Sequence, residues 1–171
     1  MASVDLAGIG VYSERYTDWP QFCAVMRGEE VEPQTKLAPE LIAPRERRRA
    51  PAFVKMAVEV MDQAGKMADA DRGAVAQVFA SGMSDMQITE YMCRTLATLP
   101  ATVSPTTVHT AVHHASTGYW SIATGSPRPS NAVSGADQSA AIARTEGALQ
   151  AADEEIPVLV TVPAMAAPVP F

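Results

Sequence analysis

Apolar positions fall along the chain in two alternating spacings, short continuous runs and stripes recurring every three or four residues. Val4 to Val11 alternates small and apolar residues and ends on Gly8-Ile9-Gly10, which predicts a buried strand turning sharply where only glycine fits. Asp18 ahead of Trp19-Pro20 has the form of an N-cap, predicting a short helix with Phe22, Val25 and Met26 on one face and Gly28 as its stop. Residues 29–44 read as a proline-punctuated connection. Beyond Pro51, the residues Phe53, Met56, Ala57, Val60, Met61 and Ala64 keep helical spacing and define the clearest amphipathic helix of the chain.

Ala74 to Ala80 is a short apolar run between Asp-Arg-Gly and Ser-Gly, so a second buried strand is expected there. Ile88, Tyr91, Met92, Thr95, Leu96 and Leu99 form the stripe of a further helix ended by Pro100. After Ser104-Pro105, one face made of Val108, Ala111, Val112, Ala115, Tyr119, Ile122 and Ala123 predicts a single helix running to Gly125. Ser130 to Ser134 reads as a strand, Ser139 to Ala152 as an alanine-rich helix, and Ile156 to Val162 as a last β-branched strand. Strands separated by helices indicate an α/β layer with a mostly parallel sheet. The expected organisation is one domain over residues 1–162 and a Pro-rich tail over 163–171, where Pro163, Pro168 and Pro170 disfavour strand pairing.

The chain has 171 residues, 47% of them apolar, and a net charge of −6. A domain of this size hides roughly 70% of its unfolded surface, enough for a real core. No apolar run approaches the ~20 residues that span a bilayer, and the first residues lack the positive flank and long apolar stretch of a secretory signal. A cytoplasmic protein is expected. The negative charge argues against binding nucleic acid, whose affinity rests on Lys and Arg at phosphates. Cys23 and Cys93 lie far apart without metal-ligand spacing, so buried free thiols are expected.

The densest chemical signal is Val112-His113-His114-Ala115-Ser116-Thr117-Gly118-Tyr119-Trp120, followed by Ser130-Asn131-Ala132-Val133-Ser134-Gly135-Ala136-Asp137-Gln138-Ser139. With Gly8-Ile9-Gly10, Val78-Phe79-Ala80-Ser81-Gly82 and Val103-Ser104-Pro105 in order before it, this resembles the nucleophile region of a β-ketoacyl synthase. The likeness covers roughly Val4 to Val162 and implies the amino-terminal half of a thiolase-like fold. It is nearest the chain-length factors of aryl polyene and type II polyketide synthases, through Pro44-Arg45-Glu46-Arg47-Arg48-Arg49-Ala50 and Gly118-Tyr119-Trp120-Ser121-Ile122-Ala123-Thr124-Gly125. Asp137 stands where that family carries its reactive cysteine. The resemblance implies that the second half, with two catalytic histidines and an oxyanion loop, lies outside these residues, and that the fifth strand of the half-fold has no counterpart here.

A working ketosynthase uses a thiolate at a helix amino-terminus and an oxyanion hole of backbone N–H groups. A carboxylate at position 137 would instead cap that helix or lend polarity to the pocket. The resemblance implies a subunit without catalysis of its own and without cofactor or metal, paired with a full β-ketoacyl synthase through strand Ser130, Asn131, Ala132, Val133 and Ser134. Met92, Thr107, Val108, Ala111, Val112 and His114 are the candidates to line the acyl tunnel or the interface.

Other readings of the same residues stand beside this one. His109 and His113 are one helical turn apart but lack a third ligand for a metal. Ser134 or His114 could serve a small acyltransferase or thioester hydrolase, although no Gly-x-Ser-x-Gly surrounds Ser134. The chain could also be a decayed domain that only stabilises its partner. The cluster Arg45, Arg47, Arg48 and Arg49 is either a solvated helix start or a dock for an acidic acyl carrier protein.

Overall fold

The computed structural model describes residues 3–32, 37–166 and 168. Parts of the connection at 29–44 (residues 33–36) and of the expected tail (167 and 169–171, including Pro170) lie outside the described residues. A three-stranded parallel sheet forms the centre, with β1 (Ala76–Ala80) between β2 (Ser130–Val133) and β3 (Val158–Thr161). Register pairs Ala80 with Val133 on one side and Phe79 with Thr161 on the other. All five residues of β1 are buried, which is why its sequence shows no polar alternation.

Alternate residues of β1 serve two different layers. Val78 and Ala80 pack with Ala143 of α7 (Ser139–Glu154), joined by Val133, Val158 and Val160. Gly147 of that helix faces β3 so closely that a Cβ there would meet the Val160 side chain. Phe79 faces the opposite way into the main core with Phe53, Met61 and Trp120, contributed by α3 (Ala52–Met67) and α6 (Ala115–Thr124). Phe53 and Phe79 meet edge to face at 6.0 Å.

The amino-terminal segment departs from expectation. Val4 to Val11 pairs with no strand and runs along α3. A Cβ on Gly8 would fall on the carbonyl of Ala64, and one on Gly10 on the carbonyl of Val60. The glycines therefore permit backbone contact with a helix instead of forming a bend. The amides of Ile9 and Val11 are satisfied by Met67 Sδ (3.3 Å) and Gln63 Oε1 (3.1 Å), side chains of the same helix.

Asp18 does cap α1 (Trp19–Met26), accepting from Gln21 N at 2.9 Å, and Gly28 follows with φ of 84°. α2 (Pro44–Arg47) is a single turn carrying part of the arginine cluster. The stripe at 88–99 becomes α4 (Met86–Thr98), capped by Asp85. The helix expected from Val108 to Ala123 is broken into α5 (Pro105–Thr110) and α6, with a turn at 111–114. The helix ends after Thr110, and the His113 side chain in the break is engaged by the sheet. Neither cysteine is fully buried: Cys23 is half-buried and Cys93 exposed, both as free thiols.

Candidate functional site

Two turns meet at the carboxyl ends of β1 and β2. Residues 81–85 lead out of β1, residues 134–138 lead out of β2, and Gly82 passes beneath Ala136, where a Cβ would lie 2.9 Å from the Ala136 carbonyl. Each turn holds a non-glycine residue in the left-handed region, Ser84 at φ 57° and Ala136 at φ 48°. Such a residue costs roughly 1–2 kcal/mol, so it persists only where neighbours fix it. Here hydroxyls do so. Ser81 Oγ accepts from Ser84 N at 2.9 Å, while Ser139 Oγ accepts from Gly135 N at 3.1 Å and donates to the Ala136 carbonyl at 2.6 Å.

Asp137 occupies the middle of the 3-10 turn Ala136–Gln138 and is exposed. The expected cap is not formed: α7 takes Gln138 at its N-cap position, with no side-chain cap bond, and the bracing is done by Ser139. The reason is spacing. The 3-10 turn moves the N-cap position one residue beyond Asp137, to Gln138, and leaves Asp137 out of line with the amides that a cap serves.

His113, weighed in the sequence as a metal ligand, has a structural contact that the spacing does not show. Its Nε2 lies 3.0 Å from the carbonyl of Val133, and its ring meets Phe79 edge to face at 5.6 Å. This contact spans 20 residues of sequence, and no local pattern announces it. His109 and His114 are exposed, and among the described residues no three His, Cys, Asp or Glu side chains converge as metal ligands. Ser134 is exposed too, and among the described residues no hydrogen bond joins it to His114 as nucleophile and base would require.

The candidate interface residues divide. Thr107 is half-buried and Val108 exposed on α5, while Ala111 and Val112 are exposed in the break that follows. That break is brought to the end of β2 through His113. Ser130, Asn131, Ala132 and Ser134 are exposed and Val133 is half-buried, and among the described residues no strand pairs with the outer edge of β2. Met92 is half-buried on α4, a helix with no buried residue whose main packing is against its own continuation, the 3-10 turn Pro100–Thr102. Of the arginines, Arg47 is committed to the carbonyls of Ala38 and Pro39 at 3.2 and 3.1 Å, and Arg45, Arg48 and Arg49 are exposed.

Two grooves open away from the turn. One of 430 Å³ lies beside β2 and α7, lined by Pro129, Asn131, Glu146, Leu149, Gln150, Asp153 and Glu154. Another of 310 Å³ lies between the amino-terminal segment and α3, where Asp18, Glu40, Glu59, Asp62 and Lys66 meet. Asp62 is buried there and paired with Lys66 (2.7 Å) and Arg72 (2.6 Å). The hydrogen bond to Asp62 holds the Lys66 ammonium above its ordinary pKa of 10.5. Burial likewise pushes the Tyr119 phenol above its ordinary 10.0, with Glu46 adding to the effect. Neither shifted group lies on the paired turns.

The site is thus a parallel α/β layer whose edge strand ends in a braced, left-handed turn at the start of a long helix, as expected for the amino-terminal half of a thiolase-like fold. The chain belongs to the β-ketoacyl synthase family: the profile of the β-ketoacyl synthase N-terminal domain matches residues 18–171. Among solved structures it resembles the ketosynthase ApeO in complex with its chain length factor ApeC from Xenorhabdus doucetiae, with 18% identity and a TM-score of 0.62. It also resembles AntDE:AntF, a type II polyketide synthase acyl-carrier protein in complex with its ketosynthase bound to the hexaketide, with 14% identity and a TM-score of 0.68. The two likenesses cover 84% and 86% of this chain but 58% and 47% of the matched chains. At these identities they establish fold. No curated protein matches the sequence. No helix among the described residues is long and apolar enough to cross a membrane.

Proposed function

We propose that this chain is a noncatalytic, chain-length-factor-like subunit that pairs with a full β-ketoacyl synthase and shapes its acyl tunnel in polyene, polyketide or fatty-acid-like biosynthesis in the cytoplasm. The observation that carries the reading is the side chain at position 137. The turn is strained and braced by hydroxyls, and it presents to solvent the carboxylate of Asp137, which our reading of the resemblance sets at the position of the family's thiol. A carboxylate is a far weaker acyl acceptor toward thioesters than a thiolate.

The open edge of β2 supports a partner strand as its cover, since an unpaired edge exposes a row of N–H and C=O groups that otherwise invites aggregation. Val108 and Val112 are 43% and 45% exposed, on the segment whose His113 reaches the end of β2, and they suit an apolar contact with a partner. Met92, Thr107, Val108, Ala111, Val112 and His114 would then close or open the tunnel sterically, each displaced methylene being worth about 0.8 kcal/mol. Arg45, Arg48 and Arg49 are the arginines left available to an acidic carrier protein.

Co-expression with a full β-ketoacyl synthase from the same organism tests the reading. A stable heterodimer on size exclusion is expected, with shorter products when Ala111→Phe or Val112→Trp is built into it. Separate elution of the two proteins overturns the pairing. An intact complex whose product length ignores both substitutions overturns the tunnel role and leaves a partner that only stabilises.

A further inference from the structure

We propose that His113 is a positioning residue: its Nε2–H fixes the end of β2, and with it the Ser134–Asp137 turn, in the geometry that a partner strand meets. The argument starts from the ladder. Gln77 N donates to the Pro129 carbonyl at 3.0 Å, and in a parallel pair alternate carbonyls face the same neighbour, so the Val133 carbonyl also faces β1. Val133 pairs in register with Ala80, the last residue of β1, so the next rung would have to come from Ser81.

That rung is the last, since beyond it Gly82 drops beneath Ala136 and Ser81 Oγ accepts from Ser84 N. The imidazole of His113 reaches the same carbonyl at 3.0 Å, where the second lone pair at the end of the ladder is open to it. A carbonyl only accepts, so Nε2 carries the proton. The ring is held by Phe79, edge to face at 5.6 Å with planes 85° apart, at the floor of the main core. The break between α5 and α6 is what frees residue 113 from helical geometry and lets it reach the sheet. One hydrogen bond thereby joins the segment carrying Ala111 and Val112 to the exposed edge strand.

Three substitutions separate the bond from the packing. His113→Phe keeps a ring against Phe79 and removes the donor, His113→Gln keeps an amide N–H at similar reach, and His113→Asn is polar but too short. Hydrogen exchange of the chain alone is expected to quicken about tenfold at the amides of residues 133–138 in His113→Phe and His113→Asn, and to stay within about twofold of wild type in His113→Gln. Wild-type exchange in His113→Phe, or equal acceleration in His113→Gln, overturns the proposal; should His113→Phe fail to fold, His113→Asn against His113→Gln decides it.

Association with the ketosynthase is the second readout, and it rests on the proposed function. About tenfold weaker binding is expected for His113→Phe, recovered by His113→Gln. Unchanged binding by His113→Phe overturns the link to the partner. A wild-type chain that does not bind the ketosynthase overturns the pairing itself, and the positioning role is then judged by exchange.

Discussion

Two helices of 16 residues flank the same central strand, and they are finished differently. α3 is enclosed on both sides. Its inner face meets Phe79 and Trp120, its outer face is covered by the amino-terminal segment through Gly8 and Gly10, and only Ala52, Lys66 and Met67 are exposed along it. α7 buries Ser139, Ala143 and Gly147 toward the sheet and leaves Ala140, Ala141, Ile142, Leu149 and Ala152 exposed. The contrast separates a layer that completes its own core from one whose outer surface is available to other chain. It also explains the side-chain sizes, since the enclosed layer packs aromatic residues and the other packs alanine, valine and glycine.

The largest effect is expected at the enclosed layer. Phe79→Ala empties the centre of the core that joins β1, α3 and α6, and should cost about 3–5 kcal/mol in denaturant unfolding. A loss under about 1 kcal/mol would mean that this layer is not the stabilising one. Next come the two outer faces compared directly. Gly10→Ala places a methyl on the Val60 carbonyl and should destabilise by about 1–3 kcal/mol, whereas Leu149→Lys on α7, at a side chain 63% exposed, should stay within about 0.5 kcal/mol. Equal effects would erase the distinction.

The smallest effect is alkaline. Lys66 and Tyr119 both have pKa values raised in the folded state, so their contribution is complete below the ordinary values of 10.5 and 10.0 and fades as pH climbs through the raised ones. The thermal midpoint should therefore fall above pH 10, and by less in Tyr119→Phe, which removes one of the two groups. An identical alkaline decline in that variant would show that the half-buried phenol plays no part.

Elements governed by local spacing were plain in the sequence. The stripe from Phe53 to Ala64 and the run ending at Ala80 became α3 and β1 because the period of burial is written directly in the order of residues. Gly8-Ile9-Gly10 misled because glycine serves equally for a bend and for close approach to a helix, and only the tertiary neighbour decides. Val108 to Ala123 keeps helical spacing across a break, since a short turn can preserve which residues face inward. At the candidate site, the position of Asp137 on the turn after β2 could be read, but not its failure to cap, which depends on one added 3-10 turn. The contact between His113 and Val133 was invisible because its partners are 20 residues apart and on different elements.

The bracing of the turn by Ser139 has a consequence for inheritance. Its hydroxyl serves Gly135 and Ala136, while Asp137, exposed between Ala136 and the N-cap Gln138, takes no part in that bracing. Position 137 is thus free to exchange one reactive group for another while the scaffold survives every intermediate step. A lineage can abandon catalysis at such a position and retain the shape that its companions recognise.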